Sequence, residues 1–397
     1  MAGDFKCNLA WCFLLWVSFV SVFAIGEYDG KSIVLATEMS SIPHKQARRK
    51  LDDVGGSISI DCGLPGELEY IDRETQIHYV SDSKYINTGR NHNISDKFIS
   101  ETLQETYENV RSFPEGKRNC YKLNHPEGRN TIYLIRASFM YGNYDGLNQL
   151  PKFNLYMGVN LWDSVTFKNS SHVVTKEILH VPVKDEIYVC LENTDMGTPF
   201  ISALELRHFH NSSYRTKSGS LLLYQRLDFG STTNKTVRFN EDSFDRIWLP
   251  YNLPEYYTPL STSFAVDTTN KTEYELPSAV MKTAVTPRDS SSLEFQFETG
   301  DPTLEFYVYM HFAEIEELQE NERREFNITV NGNLWHKSLI PNYLHSTTIF
   351  GEQSIRGSKL MFSMHKQQSS TLPPIINAIE IYIGKDFLQA PTDEEDG

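Results

Sequence analysis

The stretch Phe153-Asn154-Leu155-Tyr156-Met157-Gly158-Val159-Asn160-Leu161-Trp162 returns as Phe326-Asn327-Ile328-Thr329-Val330-Asn331-Gly332-Asn333-Leu334-Trp335, in a register of 173 residues without a gap. Both copies open on alternating apolar positions (Phe153, Leu155, Met157; Phe326, Ile328, Val330), the period of a half-buried strand. Both then turn through Gly and Asn, residues that tolerate the positive φ of a tight hairpin, and restart at Leu-Trp. The same register sets Tyr133, Ile135, Ala137 and Phe139 on Phe306, Val308, Met310 and Phe312. A further echo, at a shift of 175, matches Ile201-Ser202-Ala203-Leu204-Glu205-Leu206 to Ile376-Asn377-Ala378-Ile379-Glu380-Ile381. Echoes in the same order mean a duplicated domain.

A chain of 397 residues holds two domains with full cores. Aromatics make up 12% and charged residues 22%, a globular composition of β type. The net charge of −15, with no basic stripe to offset it, excludes a nucleic-acid partner. Lys6 followed by the apolar run Leu9 to Val22, with Val22-Phe23-Ala24 as a cleavage site, reads as a secretory signal over residues 1–24. The mature chain then keeps Cys62, Cys120 and Cys190, enough for one disulfide and one free thiol; the sequence does not choose the pair. Acceptor triplets for N-glycans begin at Asn93, Asn169, Asn211, Asn234, Asn270 and Asn327, as suits a secreted glycoprotein.

Residues 25–56 are polar and read as a flexible leader. The first domain is expected over 57–210, a polar hinge over 211–220, the second domain over 221–387 and an acidic tail over 388–397. Strands are predicted at Ser57 to Gly63, Thr131 to Tyr141, Val173 to Val181, Glu186 to Leu191, Phe200 to Phe209 and Leu221 to Phe229. More follow at Leu293 to Phe297, Leu304 to Phe312, Leu360 to Met364 and Ile375 to Ile383. Thr131 to Tyr141 is apolar on both faces and so should be a central strand. Pro277 to Val285 is the best candidate for a short helix, with Pro in its first turn. Many short strands and few helices give an all-β class, two antiparallel β-sandwiches in tandem.

Ser59-Ile60-Asp61-Cys62-Gly63, Arg111-Ser112-Phe113-Pro114, Arg118-Asn119-Cys120-Tyr121, Tyr133-Leu134-Ile135-Arg136-Ala137, Phe200 to Arg207 and Tyr309-Met310-His311-Phe312-Ala313-Glu314 are together similar to the malectin-like extracellular domain of plant receptor-like kinases. The subgroup carrying leucine-rich repeats is the nearest in pattern, and the resemblance covers Ser57 to Phe387. It implies two tandem jelly-roll-like malectin folds outside the plant cell, with cell-wall carbohydrate or a secreted peptide as ligand and a receptor-kinase or co-receptor ectodomain as a further partner. The chain reaches Gly397 without the repeats, membrane span and kinase of the receptor pattern, so a soluble member or a receptor fragment is expected. Animal malectin places a Tyr-Phe pair just after the motif resembling Phe312-Ala313-Glu314-Ile315; here Glu316-Glu317 stands there, and Asn143-Tyr144 in the first repeat.

No nucleophile elbow, zinc-protease helix, phosphate loop or kinase signature occurs, and the 12 His lack metal-ligand spacing. Neither a catalytic residue nor a metal or cofactor is expected. The candidate ligand residues are Tyr141, Tyr144 and Asp145 in the first repeat and Glu314, Glu316 and Glu317 in the second. Aromatic rings stack on the C–H faces of sugars and carboxylates bind hydroxyls, while the acidic loop attracts a basic peptide. The expected function is non-enzymatic recognition of a carbohydrate or secreted peptide. A wall-modifying glycoside hydrolase, which needs two carboxylates facing across a cleft, and a structural wall protein without a small ligand are the alternatives.

Overall fold

Phe153, Leu155, Phe326 and Ile328 are all fully buried, and each pair occupies the same place in its own half of the protein. The computed structural model describes residues 56–125, 131–209, 213–214, 219–268 and 274–387. The expected signal, the leader up to residue 55, the acidic tail, Asn211 and Asn270 lie outside the described residues.

The principal strands of the first half are β1 (Ile58–Asp61), β2 (Arg118–Asn124), β3 (Ile132–Met140), β4 (Lys152–Met157), β5 (Asn160–Val165), β6 (Val173–His180), β7 (Glu186–Met196) and β8 (Ala203–Phe209). Those of the second half are β9 (Gly219–Phe229), β10 (Ser292–Glu298), β11 (Glu305–Phe312), β12 (Phe326–Val330), β13 (Asn333–Leu339), β14 (Thr347–Phe350), β15 (Lys359–Lys366) and β16 (Ala378–Asp386). Each first-half strand thus has its counterpart eight strands later. In the first half the run β1-β8-β3-β6 faces the four-stranded sheet β2-β7-β4-β5; in the second, β9-β16-β11-β14 faces β10-β15-β12-β13.

The pairing registers repeat residue by residue. Met157 faces Val189 and Leu155 faces Leu191; 173 residues later, Val330 faces Phe362 and Ile328 faces Met364. Ile135 faces Leu206, and Val308 faces Ile381, the shift of 175 on β16. Between the layers, the rings of Phe139 and Phe153 lie 5.6 Å apart and those of Phe312 and Phe326 lie 5.7 Å apart. Such pairs add roughly 0.5–1.5 kcal/mol beyond the area they bury.

The halves are joined edge to edge. Ile178, Leu179 and His180 of β6 pair with Leu222, Leu221 and Ser220 of β9, so one twelve-stranded sheet runs through both sandwiches. Gly219 and Ser220, in the stretch expected as a hinge, already belong to β9. β3 is buried along its whole length and lies between β8 and β6, the central place its two apolar faces predict.

The helix expected over Pro277 to Val285 is confined to Ser278–Met281; Thr283–Pro287 is a strand paired with Tyr257–Ser261. The β-branched run Thr283, Val285 and Thr286 favours extended backbone once a neighbouring strand is available. The disulfide joins Cys120 and Cys190, which face each other across β2 and β7, and leaves Cys62 free and buried.

Candidate ligand-recognition surface

The outer face of the twelve-stranded sheet carries a buried row of alternating charge. Glu205 on β8 stands opposite Arg136 on β3, Arg136 opposite Glu177 on β6, and Arg226 on β9 opposite Glu380 on β16. Arg136 donates to Glu205 and Glu177, each at 3.0 Å. Arg226 donates to Glu177 at 2.6 Å and to Glu380 at 2.8 Å.

Second-half residues that cover this row complete it. Asp245 accepts from Arg136 at 3.1 Å, Arg207 at 2.9 Å and Arg238 at 2.8 Å, while Asp242 accepts from Arg246 at 2.9 Å and from the Trp248 indole at 2.7 Å. Five guanidiniums (Arg136, Arg207, Arg226, Arg238, Arg246) therefore balance five carboxylates (Glu177, Glu205, Asp242, Asp245, Glu380). Tyr79 donates to Glu205, and Tyr214 and Tyr382 donate to Glu380. Burial alone would raise Glu380, but Arg226, the His311 hydrogen bond and Arg246 hold it far below the usual carboxylate range. A buried charge without such partners costs several kcal/mol. The row is a structural lock that fixes one half against the other.

That lock positions the loops read as ligand sites. β3 and β11 are separated by an unbroken series of antiparallel pairs through β6, β9 and β16, so they run the same way. The loops that follow them leave the sheet at the same edge, about 19 Å apart at the usual strand spacing.

In the first loop Tyr141 is fully buried, and its hydroxyl donates to Asp145 at 2.5 Å and to Asn143 at 3.1 Å. Asp145 also accepts from the Leu147 amide at 3.0 Å. Burial and then the Asp145 hydrogen bond push the Tyr141 phenol above its ordinary pKa. Tyr144 is half-buried, its ring 5.2 Å from those of His92 and Phe200. Tyr141 and Asp145 therefore brace the loop, and Tyr144 packs partly exposed against the core, its hydroxyl donating to the Thr198 carbonyl at 3.4 Å.

In the second loop Glu314 is buried and accepts from the amides of Ile315 and Glu316, both at 3.1 Å, and from Arg324 at 2.7 Å. Arg324 also donates to Glu316 at 2.7 Å, whose side chain is 47% exposed. Glu317 is exposed. Glu314 is thus a buried brace, Glu316 is half-neutralised, and Glu317 presents its charge to solvent.

Two cavities lie away from these loops. One, of about 280 Å³, is lined in the first half by Asp72, Arg73, Glu101, Leu103, Glu105 and Glu108. The other, of about 610 Å³, is lined in the second half by residues that include Leu334 and Trp335 of the repeated motif. Sequence reasoning passed over both. The repeated motif gives no sign of the second, because both copies read Asn-Leu-Trp and only the structure shows Trp162 buried and Trp335 partly exposed. Among the described residues no group of three or more His, Cys, Asp or Glu could hold a metal ion, and no helix is long and apolar enough to cross a membrane.

The fold and registers repeat twice over a stretch that the Malectin-like domain family model matches as a unit, residues 60–383. The chain belongs to the malectin-like family. Malectin-like relatives include a putative leucine-rich repeat receptor-like protein kinase of Arabidopsis thaliana, 45% identical over 349 residues, which span 87% of this chain and 40% of the relative. The Arabidopsis thaliana LRR receptor-like serine/threonine-protein kinase IOS1 is 39% identical, over 87% of this chain and 38% of the kinase. The chain therefore spans about two fifths of the length of these curated relatives. Among solved structures, the ANX2 ectodomain from Arabidopsis thaliana matches with a TM-score of 0.66 at 16% identity, over 85% of this chain and 100% of that one. A chain from the structure of the plant peptide RALF23 in complex with FER and LLG2 matches with a TM-score of 0.62 at 15% identity, over 82% and 94%. At such identities these neighbours establish the tandem malectin-like fold alone.

Proposed function

We propose that the chain is a non-enzymatic extracellular recognition module whose ligand is a secreted basic peptide held across the loops after β3 and β11. The observation that carries this reading is the emergence of both loops at one edge of a single locked sheet. An extended peptide rises about 3.3 Å per residue, so roughly six residues would bridge loops about 19 Å apart. The overall charge of −15 and the outward Glu316 and Glu317 favour a cationic partner and would speed its encounter. A structural neighbour solved in complex with the plant peptide RALF23 and LLG2 supports a peptide, with a further protein beside it, as partners. The leader sequence and the sequons support secretion as a glycoprotein. The half-buried ring of Tyr144 favours carbohydrate at the first loop as a second reading.

The test is a surface-binding measurement of the secreted chain against basic and acidic peptides at two salt concentrations. Glu316→Gln with Glu317→Gln should slow association of the basic peptide and flatten its salt dependence. Equal binding of acidic and basic peptides would overturn the reading. Hydrolysis of wall oligosaccharides, abolished by changing one carboxylate, would instead establish the glycoside hydrolase.

A further inference from the structure

The second half departs from the first at one place on its sheet edge. In the first half, Glu177 pairs with Arg136 and His180 with Tyr133, and the two residues between, Ile178 and Leu179, stay in the ladder. In the second half the same two anchors are Phe350 with Tyr309 and Ile355 with Phe306. Four residues, Gly351, Glu352, Gln353 and Ser354, now join them and leave the strand. Ile178 and Leu179 are the residues that pair with β9 at the seam between the halves. The bulge therefore removes from the second half the edge on which the first half docks its neighbour, and bulges commonly re-aim an edge toward a site.

What opens in its place is the 610 Å³ pocket, a volume within the range of about 300–1,000 Å³ usual for small-ligand sites. The repeated motif supplies its wall. Trp162 is fully buried in the first half, whereas its counterpart Trp335 is only half-buried and lines the pocket. A Cβ on Gly351 would lie 3.0 Å from the Trp335 indole nitrogen, so glycine there lets the ring lie against the bulge. Leu334 and Phe350, 59% and 50% exposed, extend the apolar surface, and Asn333 and Gln353 bring amide donors and acceptors to the rim. The one guanidinium of the lining, Arg356, is paired with Glu305, and Glu352 adds a negative charge.

We infer that this pocket is a binding site for a neutral oligosaccharide, with the Trp335 ring stacked on a sugar face. The inference rests on the reading of the chain as an extracellular recognition module but concerns a different surface from the two loops. An indole and a phenyl ring fit the C–H face of a pyranose, and neutral amides satisfy hydroxyls. The lack of an unpaired cation, together with Glu352, disfavours uronic acids. An added peptide strand is disfavoured because Gly351 to Ser354 present no ladder to extend.

The test titrates the secreted chain with four neutral hexasaccharides (β-1,4-glucan, β-1,3-glucan, xyloglucan-type and β-mannan) and with a galacturonate hexasaccharide, following calorimetry and tryptophan fluorescence. At least one neutral sugar should bind at least tenfold more tightly than the acidic one. Trp335→Ala should weaken it at least tenfold, Trp335→Phe should retain most of the affinity, and Gly351→Ile should abolish binding. Thermal midpoints and basic-peptide binding of the same variants report folding and the loop surface separately. Failure of all four neutral sugars, a preference for galacturonate, or unchanged sugar affinity in both Trp335→Ala and Gly351→Ile overturns this site. If basic peptide still binds in those cases, the reading of the loops stands.

Discussion

Nη2 of Arg226 lies 2.6 Å from Oε1 of Glu177, and this ion pair crosses the seam between the two sandwiches. Arg226 belongs to β9 and Glu177 to β6, whose backbone pairing involves only Ile178 to His180 with Ser220 to Leu222. The side-chain row extends the seam inward beyond that short ladder. Removing one member of a fully buried pair leaves its partner charged and desolvated, at a cost of about 3–5 kcal/mol. Arg226→Ala should lower the urea midpoint accordingly. A change below about 1 kcal/mol would show that the row does not hold the seam.

The duplication was legible because strand period and motif order survive at the same spacing in both halves. The seam was not. Glu205 and Glu380 are matched in the sequence echo, but a Glu between two apolar residues reads as the solvent side of a strand. Only Arg136, Arg226 and the Asp245 segment, distant in sequence, turn that side into a buried one. The repeats Asp61-Cys62-Gly63 and Asp228-Phe229-Gly230 likewise end β1 and β9 but are too short to stand out from chance. Among the loop residues, Glu316 and Glu317 are exposed and Tyr144 is half-buried, whereas Tyr141, Asp145 and Glu314 spend their polar atoms on bracing. Sequence shows which groups a loop carries, not which of them neighbouring backbone and Arg324 have already engaged.

Those two glycines make matched conformational demands. Gly63 has φ +99° and Gly230 φ +75°, and an added Cβ would lie 2.3 Å from the Val110 carbonyl oxygen or 2.1 Å from that of Ala284. Backbone, not a flexible side chain, blocks both positions. Alanine at either should cost roughly 3 kcal/mol or more, and thermal unfolding of Gly63→Ala and Gly230→Ala should give similar losses. A neutral result at one site alone would break the equivalence of the two strand ends.

Two buried carboxylates set opposite limits on stability with pH. Burial would raise Glu205, but Arg238, Arg136 and Arg207 outweigh it and hold the carboxyl at about 2, below its ordinary 4.5. Its stabilisation is present above pH 4.5 and is lost as pH falls toward 2. Burial pushes Asp228 from 3.8 up to about 7, against the hydrogen bonds from Thr283 and Ser231. The stability tied to that proton is fully present below pH 3.8 and is lost as pH rises through 7. Urea midpoints should therefore peak in mildly acidic solution. The decline from pH 5 to 8, about 2–3 kcal/mol from Asp228, should flatten in Asp228→Asn; a decline of unchanged size would exclude Asp228 as its source.

The sequons differ in their surroundings. Asn93, Asn169 and Asn234 are exposed, and Oδ1 of Asn169 accepts from both the amide and the hydroxyl of Ser171, within its own triplet. Asn327 is half-buried on β12, and its Oδ1 accepts from the Ser338 amide at 2.9 Å. Mass spectrometry of the chain secreted from plant cells should find glycans on the three exposed sites, with Asn327 the least occupied of the four. A fully occupied Asn327 beside an empty Asn169 would mean that local exposure does not govern modification.

Arg324 separates the bracing role of the second loop from its binding role. The guanidinium is 2% exposed and holds Glu314 and Glu316, each at 2.7 Å, and it also donates to the Pro373 carbonyl. Without it, Glu314 would keep a buried charge supported only by two backbone amides. Arg324→Met should therefore cost about 3–5 kcal/mol, whereas Glu316→Gln and Glu317→Gln, at the surface, should each cost less than about 1 kcal/mol. The effects on a basic peptide should run the other way. The two Glu→Gln changes should slow its association. The destabilised Arg324→Met protein, assayed below its unfolding midpoint, should associate at least as fast as the parent, since a positive charge has gone and Glu316 is released. If Arg324→Met slows association as much as the Glu→Gln pair while remaining folded, the loop recognises its ligand through shape and not through charge.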